Sequence, residues 1–214
     1  MTLVIRVDPG ATQAEAVEPA AEVLLEGGVA AGPTQTFYGL MAAADRPEAL
    51  ARIVKMKGRE ARKPLLLLLD DIRRVEDYAD RWPDTADLLA EAFWPGPLTL
   101  LVKARPGLPP ALVGPDGTVG LRVEGLPVVR TLVRTLDRAV TGTSANPGGL
   151  LPAVTAAQAV AYFGKKLDLI LDAGPCAGGP PSTIIDAGTS PLRLIRQGAI
   201  KQEELLALFP DLKI

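Results

Sequence analysis

TVGLRVEGLPVVRTLVRTLDRAVTGT, residues 118–143, decides the fold class. Thr118 to Val123 has the apolar, β-branched character of a short strand. Pro127 to Leu136 repeats apolar residues at helical spacing, with proline in the first turn. Ala139 to Thr143 is again short and apolar, a buried strand. Strand, helix and strand in one run predict an α/β architecture.

The rest of the chain extends this pattern. Leu3 to Val7 reads as a strand. Thr12-Gln-Ala-Glu15 is a capping-box pattern that predicts a helix to about Glu26, closed by Gly27-Gly28. Val29 to Ala31 reads as a strand running into a loop, Gly32 to Gly39. Asp45-Arg-Pro-Glu48 predicts an acidic cap and a helix ended by Gly58. Leu65 to Leu69 reads as a buried strand, with helical segments at Ile72 to Tyr78 and Pro83 to Phe93. Further strands are expected at Leu98 to Lys103, Leu167 to Leu171, Thr183 to Asp186 and Leu192 to Arg196. Two more helices are expected, one capped by Thr155 and one over Lys201 to Phe209. The irregular order predicts a single-domain twisted mixed sheet with flanking helices over residues 1–214, without repeats or low-complexity linkers.

Composition narrows the chemistry. The chain has 214 residues, 48% hydrophobic but only 4% aromatic, so its core is built from aliphatic side chains and alanine. Lys plus Arg number 23 and Asp plus Glu 25, a net charge of −2, which excludes a globally basic nucleic-acid binder. There is no histidine, which removes Ser-His-Asp and Cys-His catalysis and His-ligated metals. Cys176 is the single cysteine, so no intrachain disulfide can form, and its bland reading is an inert thiol. The first residues alternate like a strand and show no signal peptide, and Phe93 to Val102 is too short to span a bilayer. The expected address is a reducing cytoplasm, with no membrane partner.

Neither a P-loop nor a G-x-G-x-x-G turn is present. From Arg46 to Arg74 there are nine Lys or Arg against four Asp or Glu, centred on Lys55-Met-Lys-Gly-Arg-Glu-Ala-Arg-Lys63. Cations on a short loop can surround a polyphosphate, or can simply complement a helix C-terminus. Pro33-Thr-Gln-Thr-Phe-Tyr-Gly39 and Thr141-Gly-Thr-Ser-Ala-Asn-Pro-Gly-Gly149 place small polar groups at strand exits. They suit a ligand, or ordinary turn chemistry. Phe93-Trp-Pro-Gly-Pro-Leu-Thr99 reads as a rigid corner. Arg122 and Arg196 stand at apolar strand ends, where an unpaired charge is costly.

Taken together and in order, these segments resemble the YrdC family. The residues that carry the resemblance are Pro33 to Leu40, Lys57-Gly-Arg59 with Lys63-Pro-Leu65, Trp94 to Thr99, Thr118 to Arg122, Ser144-Ala-Asn146, Ser182-Thr183 and Leu194 to Gly198. They cover about residues 14–200, and the chain is similar to the short form, without an appended C-terminal domain. It departs from the usual family pattern at Gln35, Phe37, Met41, Lys63 and Leu68.

The resemblance implies a YrdC-like fold with a concave basic cavity. It implies an L-threonylcarbamoyl-adenylate synthase that uses L-threonine, bicarbonate and ATP and releases pyrophosphate. Partner proteins would then carry the group to a tRNA adenosine. By position it implies catalytic roles for Lys57 and Arg59. It places Lys57, Arg59, Lys63, Thr118, Asn146 and Arg196 on ATP, and Thr36, Arg122, Ser144 and Ser182 around threonine. Mg²⁺ would ride on the phosphates rather than on a protein metal site. Two rival readings share the cavity. One is an RNA-binding accessory protein with weak tRNA or double-stranded RNA binding; the other is a relative that adenylates a different carbamoylated amine.

Overall fold

Three prolines set where helices begin. In the computed structural model, which describes residues 2–58 and 63–213, Pro19, Pro47 and Pro127 occupy the first or second position of their helices. There the missing N–H costs nothing and the fixed φ is already helical. The helices are α1 (Glu18–Leu25), α2 (Pro47–Lys57), α3 (Asp84–Phe93), α4 (Pro127–Leu136), α5 (Ala156–Phe163) and α6 (Gln202–Leu208). Gly58 closes α2 in the left-handed conformation, φ 57°, which a side chain would resist.

The strands divide between two mixed sheets. They are β1 (Leu3–Arg6), β2 (Ala30–Pro33), β3 (Tyr38–Met41), β4 (Leu67–Leu69), β5 (Leu98–Lys103), β6 (Thr118–Val123), β7 (Val140–Thr141), β8 (Thr143–Ser144), β9 (Leu169–Asp172), β10 (Thr183–Asp186) and β11 (Arg193–Arg196). The first sheet runs β1-β9-β2-β3-β8, the second β11-β10-β5-β6-β4-β7. In the second sheet β5 lies parallel to β10 and antiparallel to β6, while β4 is parallel to β6.

Alternation along the strands sorts side chains into two cores. In the first sheet Ala30, Met41, Leu169 and Leu171 pack with Leu24 of α1 and with Val129, Leu132 and Val133 of α4. The opposite face, carrying Ala31, Leu40 and Ile170, joins the larger core. That core also holds Leu50 and Ile53 of α2, Leu98, Leu100 and Val102 of β5, and Val119, Leu121 and Val123 of β6. The intervening residues of β5 and β6 point to the other side of the second sheet.

The mixed α/β class is as expected, but local boundaries differ. The capping-box helix does not start at Thr12. A short 3₁₀ turn, Ala14–Ala16, precedes α1, which begins at Glu18 with Val17 as an uncapped N-terminus. Pro19 explains the break, because inside a longer helix it would clash with the carbonyl four residues back. Residues 32–39 are not all loop: β2 and β3 form an antiparallel hairpin around a turn at Thr34–Phe37. Arg46, not Asp45, is the N-cap of α2; Asp45 instead pairs with Arg46 and Arg138. The helical segment from Ile72 is a 3₁₀ helix, Ile72–Asp77.

The expected strand over 139–143 is cut at Gly142, and its halves belong to different sheets. Gly142 donates its N–H to Leu66 O at 3.1 Å. A Cβ there would lie 2.6 Å from Leu68 Cγ, so only glycine lets the chain pass so close to β4. No helix of the described residues is long and apolar enough to cross a membrane.

Candidate functional site

A cavity of about 820 Å³ opens on the face of the second sheet away from its core. Its floor comes from the residues that alternate outward: Thr99 and Leu101 of β5, Gly120 and Arg122 of β6, and Ile184 of β10. Around the rim stand the hairpin turn (Thr34, Thr36, Phe37), Lys57, Lys63, Ser144, Asn146, Ser182 and Arg196.

The hairpin turn is held by its own hydroxyl. Thr34 Oγ1 donates to Phe37 O at 2.7 Å and accepts from the N–H groups of Thr36 and Phe37, both at 3.3 Å. This local bonding replaces helix or ladder partners and fixes Thr36, which is also buried, at the cavity wall.

Lys57 is the last residue of α2 and is 7% exposed. Its ammonium donates to Ser144 O, to Asn146 O at 3.0 Å and to Asn146 Oδ1 at 3.3 Å. An ammonium has three donors, so these acceptors can engage all of them. Gly148 N returns a bond to Lys57 O at 3.0 Å. The end of α2 and loop 144–148 are thus stitched together, with a fixed positive charge at the cavity edge. Ser144 Oγ donates to Asn146 Oδ1 at 2.6 Å, and Asn146 Nδ2 donates to Leu150 O at 2.6 Å.

Arg122 is 3% exposed in the floor. Its Nε donates to Gly96 O at 3.0 Å, in the Trp94-Pro-Gly-Pro corner, and its Nη2 lies 2.8 Å from Glu124 Oε2. Burial pulls the guanidinium below its usual range, and the Glu124 carboxylate opposes that shift. The corner that reads as merely structural therefore holds a site arginine by its carbonyl.

At the opposite wall, Arg196 donates to Ser182 O through Nη2 at 2.8 Å and Nε at 3.2 Å, and to Ser182 Oγ at 3.2 Å. Ser182 Oγ lies 3.0 Å from Thr99 Oγ1. Ser182 and Thr99 are buried while Arg196 is exposed, so the guanidinium reaches from the rim over two hydroxyls.

Of the residues named from sequence, Lys57, Lys63, Asn146, Arg196, Thr36, Arg122, Ser144 and Ser182 line this one cavity. Thr118 is not among the lining residues; it opens β6 opposite Lys103. Arg59 lies outside the described residues. Sequence reasoning missed Glu124, and it named Thr34 and Thr99 only as members of longer segments, not as site residues. Thr99 and Arg122 sit at the outward positions of their strands, and that alternation was the signal available. Among the described residues no group of three His, Cys, Asp or Glu could hold a metal ion.

Comparison with known proteins bears on this cavity. The family model Sua5_yciO_yrdC, described as telomere recombination, matches residues 22–198. A threonylcarbamoyl-AMP synthase of Pyrococcus abyssi is 34% identical over 215 residues, covering 100% of this chain and 63% of that protein. One of Thiobacillus denitrificans is 38% identical over 166 residues, covering 78% of this chain and 88% of that protein. The crystal structure of P. abyssi Sua5 complexed with L-threonine superposes with a TM-score of 0.91 at 30% identity. It covers 100% of this chain and 62% of that one. The chain thus spans a little over three fifths of the P. abyssi relative's length.

Proposed function

This chain belongs to the Sua5/YciO/YrdC family, and on that premise we propose that it makes L-threonylcarbamoyl-adenylate and pyrophosphate from L-threonine, bicarbonate and ATP. The observation that carries the proposal is the convergence of eight polar or charged candidates, drawn from segments between Thr36 and Arg196, on a single cavity. Relatives that cover most of their length with this chain bear the name of that activity.

The chemistry asks for positioning and charge neutralisation more than for a nucleophile. The threonine amine attacks bicarbonate, water leaves and a carbamate forms. A carbamate oxygen then attacks the α-phosphorus, and pyrophosphate departs with the electron pair of the broken P–O bond. In this reading the Arg122 guanidinium, in the floor of the cavity, receives the threonine carboxylate. Thr36, Ser144 and Ser182 surround the amino acid.

Lys57, Arg59, Lys63, Asn146 and Arg196 serve the nucleotide. Lys57 does so as a fixed charge whose donors hold loop 144–146 in place. Thr118, which opens β6, is proposed to serve the nucleotide as well, although it is not among the residues that line the cavity. Mg²⁺ bound to the triphosphate oxygens would neutralise part of their charge, with no protein cluster of three ligands among the described residues to hold it. The adenylate is handed to partner proteins for transfer to tRNA, and residues 1–214 act as one catalytic domain in the cytoplasm.

The test is pyrophosphate release by the purified protein with each reactant omitted in turn. Release should require ATP, L-threonine and bicarbonate together. Release that ignores threonine or bicarbonate refutes the substrate assignment. Release with another amino acid in place of threonine would identify a different carbamoylated amine.

A further inference from the structure

Glu124 is fully buried, 0% exposed, just past the end of β6. A carboxylate in such a place is costly unless hydrogen-bonded and paired. Here one oxygen, Oε1, accepts three backbone N–H groups: Gln35 at 2.9 Å, Gly125 at 2.9 Å and Leu126 at 3.3 Å. The other, Oε2, lies 2.8 Å from Arg122 Nη2, an ion pair of two buried atoms outside hydrogen-bond geometry. Gly125 and Leu126 lead into the N-terminus of α4, where a negative charge is favourable. Gln35 belongs to the hairpin turn between Thr34 and Thr36. The turn presses hard on this segment, since a Cβ on Gly125 would lie 2.4 Å from Gln35 Oε1.

The same carboxylate therefore touches both the turn at the rim of the cavity and the arginine in its floor. It clamps the turn that presents Thr34, Thr36 and Phe37. It also pairs with Arg122, whose Nε donates to Gly96 O and which lines the cavity floor. We propose that Glu124 is a positioning residue that sets Arg122 and the Thr34–Phe37 turn together, and so fixes the geometry of the amino-acid half of the site without touching the substrate. The inference rests on the functional reading above, because it assigns that half to the amino acid.

The test uses the full chain. Glu124→Gln keeps the shape but turns an amide toward Arg122 and removes the counter-charge. The KM for L-threonine should rise about tenfold or more, because a buried guanidinium loses its counter-charge, while the KM for ATP stays within about twofold. Glu124→Asp, which keeps the charge on a shorter arm, should recover part of the loss. Equal changes in both KM values, or none, overturn the proposal, since a merely structural role would not separate the two substrates.

A measurement on the unaltered protein stands beside these variants. The Gln35 amide should exchange its hydrogen slowly without ligand, because a buried carboxylate holds it; exchange at the rate of an open turn overturns the proposal even if Glu124→Gln does not fold. Absence of threonine-dependent pyrophosphate release by the unaltered protein would sink the functional reading instead. The Gln35 exchange rate would still decide whether Glu124 holds the turn.

Discussion

Replacing Lys57 by methionine separates two roles that one ammonium could play. A phosphate clamp would hold ATP and add nothing to the empty fold. The structure gives the ammonium a second task, because it donates to Ser144 O and to both oxygens of Asn146. Methionine keeps the apolar stem and its packing, so the substitution removes chiefly those bonds. A charged hydrogen bond contributes ~1.5–3 kcal/mol when its loss leaves a buried partner unmet. The acceptors here border a cavity, so water recovers part of the loss, and the net cost should be about 2–3 kcal/mol rather than the sum of three bonds. In a chain of this size each kcal/mol lowers Tm by about 2–4 °C, so Lys57→Met should melt ~4–12 °C lower without any ligand. Urea unfolding at equal slope and thermal melts of the ligand-free protein would read this directly. A variant that melts at or above the parent temperature, yet has lost ATP affinity, would show that Lys57 serves phosphate alone and that the stitched loop is not a source of stability.

Other expectations follow from close packing and from burial. Gly142→Ala would press its new methyl against Leu68, whose side-chain carbons would lie 2.6 to 2.8 Å away, and should cost ~1–3 kcal/mol in urea unfolding. Adding Leu68→Ala should return at least about 0.5 kcal/mol of that loss as a favourable coupling; strictly additive effects would refute the crowding. Burial raises the Cys176 thiol from 9.0 to about 11. Iodoacetamide should therefore alkylate it at pH 8 about a hundredfold more slowly than an ordinary thiol, with the rate rising tenfold per pH unit to about pH 10. The unfolded thiol ionises first, so this group's share of stability is intact below pH 9 and is lost as pH rises toward 11. A flat alkylation profile between pH 8 and 10 would refute the shift.

The sequence alone revealed those parts whose own residues carry the pattern. β5, β6, α4 and β10 occupy the spans that alternation, helical periodicity and Pro127 indicate. The hairpin of β2 and β3 was hidden because Gly32, Pro33 and Gly39 are turn formers. They adopt strand geometry because Gly39 finds Ser144 on one side and the neighbouring Ala31 finds Ile170 on the other. The break at Gly142 depends on Leu66 and Leu68, far away in sequence, and nothing beside Gly142 announces it. The basic stretch and the small polar residues at strand exits did mark the cavity. Their hydrogen bonds did not show: Lys57 stands in the sequence as one cation of a basic stretch, and nothing in the sequence marks Glu124. Burial gives both residues their roles, and burial is a property of the assembled sheets.

The cavity is lined by Thr34, Thr36 and Phe37 from one end of the sequence and by Ser182 and Arg196 from the other. A chain emerging from the ribosome can close the β2–β3 hairpin early, since that pairing is local. Arg196 leaves the exit tunnel long afterwards, and closing so long a loop is slow by comparison. Every shorter nascent fragment lacks the guanidinium that reaches over Ser182, so the cavity stays incomplete through the first stages of co-translational folding.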